Sequence, residues 1–85
     1  MRTYIQASFR THYTGEAVDE INLAFQHAGY PERITEENLL ETYPADEAGN
    51  DGFGDTIFVF SAMIDAEPDD IIAAFKGTPI DIEIP

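Results

Sequence analysis

Thr3-Tyr4-Ile5-Gln6-Ala7-Ser8-Phe9-Arg10-Thr11-His12-Tyr13 alternates with period two. Thr3, Ile5, Ala7, Phe9, Thr11 and Tyr13 fall on one face, and Tyr4, Gln6, Ser8, Arg10 and His12 on the other. β-Branched and aromatic residues at this spacing predict a half-buried strand. After it, Thr14 is placed to cap a helix whose first turns carry Glu16, Asp19 and Glu20 at the positive end of the dipole. Val18, Ile21, Phe25 and Ala28 follow helical spacing. Gly29 and Pro31 then stop the helix.

Residues 34–43 admit two readings. Thr35-Glu36-Glu37-Asn38 can start a short helix running through Leu39 and Leu40, or Leu39 to Tyr43 is a short strand; Pro44 ends either one. The stretch from Pro44 to Asp55 is a loop by composition. Thr56 to Ala66 is the most apolar segment, and Ile57-Phe58-Val59-Phe60 leaves it no polar face, which predicts a central strand. Glu67-Pro68-Asp69-Asp70 opens a second helix with Pro68 in its first turn; Ile71, Ile72 and Phe75 give it a buried side and Gly77 ends it. Ile80, Ile82 and Ile84 alternate with Asp81 and Glu83 in a last strand.

This order predicts an α+β fold, a two-layer ferredoxin-like βαββαβ sandwich with an antiparallel sheet and two helices on one face. The first and third strands belong in the centre. Phe9, Val18, Ile21, Phe25, Phe58, Phe60, Ile72, Phe75 and Ile82 are the expected core. The other sheet face stays uncovered, with Tyr4, Gln6, Ser8, Arg10 and His12 from the first strand, Ile57, Val59 and Met63 from the middle, and Asp81 and Glu83 from the last. It reads either as a contact surface, including a homodimer contact, or as an ordinary amphipathic sheet face.

Residues 1–85 form one domain at this length, with a 44% hydrophobic content sufficient for a modest core. Six phenylalanines and four tyrosines separate the chain from disordered acidic tails. It has no cysteine, hence no disulfide and no thiolate metal site. Met1-Arg2-Thr3-Tyr4-Ile5-Gln6 shows no apolar signal-peptide region, and the apolar run Ile57–Ile64 is too short to span a bilayer. A cytoplasmic location is expected.

Charge dominates the remaining reading. Seventeen acidic residues face four basic ones, for a net charge of −13. The imbalance lies almost wholly after Arg33, where thirteen acids stand against Lys76 alone. Such a field repels phosphate backbones and anionic membranes and attracts basic proteins. Direct nucleic-acid or membrane binding is therefore not expected.

Chemistry-bearing motifs are missing from the sequence. Aligning Gly52 with the sixth position of a calcium-binding EF-hand loop puts Gly49 third and Phe58 twelfth, where acids are needed. His12 and His27 lie on different elements without a metal-ligand spacing. His12 is the one candidate general base, and Ser8, Thr11 and Ser61 give it no specific nucleophile. No phosphate-binding, dinucleotide or nucleophile-elbow motif is present. Neither an enzyme nor a metal or cofactor site is expected.

The acidic runs Glu36-Glu37, Asp46-Glu47 and Glu67-Pro68-Asp69-Asp70, with the size and low isoelectric point, resemble small phage-encoded inhibitors: anti-CRISPR proteins, antirestriction proteins and uracil-glycosylase inhibitors. The resemblance is one of composition over the whole chain and carries no family motif. It implies an acidic module that inhibits a nucleic-acid-handling protein by occupying its basic surface. Glu36, Glu37, Glu41, Asp46, Glu47, Asp51, Asp55, Glu67, Asp69 and Asp70 are the expected partner-binding acids, with Tyr43 and Phe53 as anchors and Tyr30 as a further candidate. Two other readings fit the composition: an acidic adaptor or antitoxin-like protein with one basic partner, and a surface adapted to high salt.

Overall fold

The computed structural model of the chain describes residues 1–45 and 55–85. The fold is a small α+β domain. A four-stranded antiparallel sheet is built from β1 (Arg2–Thr11), β2 (Leu39–Pro44), β3 (Thr56–Asp65) and β4 (Asp81–Glu83). The described residues also form helices α1 (Thr14–His27) and α2 (Pro68–Phe75). The strand order is β2-β3-β1-β4. The two longest strands thus hold the centre, as the order of elements with right-handed crossovers and the apolar run of the third strand predict. Each helix connects a pair of strands with one strand of the other pair inserted between them.

The register fixes both faces. β1 and β3 pair along their whole length, with Thr3 opposite Ile64, Ala7 opposite Phe60 and Phe9 opposite Phe58. These residues turn toward the helices. Ile5, Ala7, Phe58, Phe60 and Ile64 share one buried cluster with Ala17, Ile21 and Phe25 of α1 and Ile71 and Phe75 of α2. The Phe25 and Phe75 rings meet edge to face at 5.6 Å between centroids, a favourable arrangement of their quadrupoles. Both helices therefore pack on the same face.

The core corrects one expectation. In α2 it is Ile71 that is fully buried, while Ile72 is 51% exposed. Phe9, Val18 and Ile82 are half-buried against the cluster, and Ile5, Ile34, Ile64 and Ile80 belong to the buried set besides the residues expected there. Tyr13 is a second correction: β1 ends at Thr11, and Tyr13 is exposed at the helix N-cap. Thr14 lies inside α1 and does not cap it; the Thr11 hydroxyl instead donates to the Glu16 carboxylate and ties the helix start to β1.

The C-terminus of α1 follows the sequence reading. Gly29 has φ +86°, a conformation costly for any residue with a Cβ. That turn lets the Tyr30 N–H reach the Phe25 carbonyl at 2.9 Å and the Gly29 N–H the Gln26 carbonyl at 3.0 Å, a Schellman closure. Asn22 then holds the returning chain from both sides. Its amide donates to the Ile34 carbonyl at 3.0 Å and accepts from the Ile34 N–H at 2.8 Å.

Residues 34–43 combine both sequence readings. Thr35 and Asn38 form a capping box around a single 3-10 turn, Glu36–Asn38, and β2 begins at once with Leu39. β2 carries a bulge between Leu39 and Glu41, so that Leu39 faces the core side opposite Phe60 and Glu41 the opposite side beside Val59. Leu40 is the extra residue and is 48% exposed.

Candidate functional site

The face of the sheet away from the helices is uncovered. Alternation places Arg2, Tyr4, Gln6, Ser8 and Arg10 of β1 there, and the register sets Met63, Ser61, Val59 and Ile57 of β3 beside them. β2 adds Glu41 opposite Val59 and Tyr43 opposite Ile57, and β4 adds Asp81 opposite Ser8 and Glu83 opposite Gln6. One row therefore crosses the whole sheet as Glu41, Val59, Ser8 and Asp81, with a carboxylate at each end.

These residues enclose a groove of about 410 Å³ lined by Gln6, Ser8, Glu41, Tyr43, Val59 and Asp81, with Ile82 and Glu83 at its β4 side. Val59 is its floor. This side chain is only 8% exposed, yet it is not part of the cluster under the helices. The cations of the face stand at the two ends of β1. Arg10 is held by Asp55, with Nε 2.8 Å from Oδ2, and His12 Nε2 lies 3.2 Å from Asp55 Oδ1. His12 sits just past β1 rather than within the strand face.

The described members of the expected partner-binding set separate into four places. Glu41 and Tyr43 stand on the open face. Asp55 is at the start of β3, engaged by Arg10 and His12, and its carbonyl accepts from the Ala45 N–H at 3.0 Å. Glu36 and Glu37 are exposed on the 3-10 turn, and Glu67, Asp69 and Asp70 are exposed at the start of α2, with Glu67 at its N-cap. Asp46, Glu47, Asp51 and Phe53 lie outside the described residues. Asp81 and Glu83, which the sequence places on the open face but not among the expected partner-binding acids, alternate with isoleucines in β4.

The strand ends near α2 gather further charge. The Glu32 carboxylate accepts from the Asp65 N–H at 3.0 Å, and the Met1 amino group pairs with Asp65 at 3.0 Å. Tyr30 lies beside this group and against Phe75. Burial pushes its phenol above the usual value, and the Asp70 and Glu32 carboxylates add to the shift. The unfolded phenol ionises near pH 10. A folded phenol that keeps its proton to higher pH contributes stability that is complete below about pH 10 and lost as pH rises through the folded value. Urea melts at about pH 9 and about pH 11 should show wild type losing more stability across that interval than Tyr30→Phe. Equal losses would contradict this account of Tyr30.

Among the described residues no three His, Asp or Glu side chains come together in a metal-holding group. No described helix is long and apolar enough to cross a membrane. No family model matches the chain, and no curated protein or solved structure matches it at a significant level.

Proposed function

We infer that this chain is an acidic protein-binding module that inhibits a nucleic-acid-handling protein by occupying its basic surface. One observation carries the reading. Among the described residues the ion pairs engage only Asp55 and Asp65. Glu36, Glu37, Glu41, Glu67, Asp69, Asp70, Asp81 and Glu83 are all exposed and lack a cation partner in the fold. Carboxylates spread in this way repel one another, and a basic partner relieves that repulsion while the field speeds the encounter. The reading goes with a cytoplasmic, non-enzymatic protein.

The fold that accompanies it is the ferredoxin-like split βαβ. Its support is the element order and the interleaving of the two strand pairs: β3 lies between β1 and β2, and β1 between β3 and β4.

The test begins with nucleic acid itself. A gel shift of duplex DNA with purified protein at low salt, where electrostatic binding is exaggerated, should show no complex. Capture of a basic protein that persists after nuclease treatment supports direct contact. Capture lost on nuclease treatment, or a clear gel shift, overturns the proposal. A surface adapted only to high salt predicts no saturable partner at all.

A further inference from the structure

We propose that the open sheet face, with Val59 as its floor, is the docking site for a basic amphipathic helix of the partner protein. The proposal rests on the basic-partner reading above and assigns the contact to one surface. Three features converge on it. Val59 lies at the bottom of the groove with only 8% of it exposed, while Tyr4, Tyr43 and Met63 supply the exposed apolar surface of the same face. Carboxylates flank that floor on both sides, Glu41 from β2 and Asp81 and Glu83 from β4. The cations of the face, Arg2 and Arg10, stand at its ends, and Arg10 is occupied by Asp55, so neither stands in the rows that hold Glu41, Asp81 and Glu83.

Dimensions select the occupant. Strands in a sheet are about 4.8 Å apart, so the Glu41 and Asp81 rails stand three intervals apart, roughly 14 Å. A helix with its side chains is about 10–12 Å across. Laid along β3 and β1, it sets its apolar stripe over Val59 and against the exposed apolar side chains of the same face, while lysines or arginines on its two flanks reach opposite rails. Their apolar stems suit Tyr4, Tyr43 and Met63, each more than 40% exposed. Strand addition at the sheet edges is disfavoured. β2 is interrupted by the bulge at Leu40 and ends at Pro44, and β4 is three residues long. A second copy of this chain would set like carboxylate rails against each other, which charge complementarity disfavours.

The probe is a synthetic helical peptide with a leucine stripe flanked by lysines, titrated at low salt into the labelled full chain while amide resonances are followed. The largest shifts are expected at Gln6, Ser8, Glu41, Val59, Asp81 and Glu83. Glu41→Gln combined with Asp81→Asn should weaken binding about tenfold or more, and Glu67→Gln with Asp69→Asn about twofold or less. All four acids are exposed, and the wild-type shift map does not depend on any variant folding. Shifts centred instead on Glu36, Glu37 and Glu67 to Asp70, with the order of the variants reversed, overturn the groove and leave the basic-partner reading standing. Absence of saturable binding anywhere on the chain overturns both. A concentration-dependent dimer that Glu41→Gln with Asp81→Asn strengthens assigns the face to a second copy and overturns the helix.

Discussion

Phe25→Ala is expected to lower stability by about 3–5 kcal/mol, a large part of the total for a domain of this size. The side chain projects from α1 and is fully buried, and its loss leaves a cavity in the cluster that holds Ile21, Phe60 and Phe75. The edge-to-face contact with Phe75 goes with it. The melting temperature should fall by more than about 12 °C. Ile72→Ala is the matched control. Ile72 is half exposed, so its truncation should cost about 1 kcal/mol or less. Comparable shifts for the two variants would mean that the buried side of α2, and the packing against it, is assigned incorrectly.

That control marks where the sequence stopped being legible. Ile71 and Ile72 are four and three residues before Phe75, and both spacings put side chains on one helical face. In an eight-residue helix too few turns repeat to choose between them; the choice falls to packing in the cluster that Phe25, distant in sequence, shares. Elsewhere the local signals sufficed. The alternation from Thr3 predicted which side of β1 is buried, and Gly29 and Gly77 sit at positive φ as helix-ending glycines do. At Thr35 two true signals competed: the capping box started a helix, and the Leu39-Leu40 pair with Pro44 behind it could sustain only one 3-10 turn before the strand began.

A second large effect concerns association rate. Changing Glu36, Glu37, Glu67, Asp69 and Asp70 together to neutral amides should slow association with a basic partner about tenfold or more at low salt while leaving dissociation nearly unchanged. These side chains are exposed and outside the groove, so they act through the field, and the difference from wild type should shrink as salt screens it. Changing Glu16 and Asp19 on α1 should do less, since residues 1–33 are nearly neutral. Stopped-flow or surface-binding kinetics at two salt concentrations separate the cases. Equal effects of the two sets would make the acidity a general surface property rather than a steering field.

The candidate site was legible in its parts but not in its assembly. Parity along β1 and β4 put Gln6, Ser8, Asp81 and Glu83 on the open face. That Glu41 and Asp81 close the two ends of one row depends on the bulge at Leu40 and on pairings across three strand boundaries, which no local pattern encodes. Asp81 and Glu83 alternate with isoleucines in β4, and their place on the same face as Glu41 follows only from the sheet pairings, while Asp55, expected to face a partner, is engaged by Arg10 and His12.

The most direct test of the central claim is competition on the captured partner. With that protein immobilised, duplex DNA or RNA and this chain are added together at increasing ratios. Mutually exclusive binding is predicted, with the nucleic acid displaced stoichiometrically and the chain released again by excess duplex. A stable ternary complex holding both ligands would contradict occupation of the nucleic-acid surface.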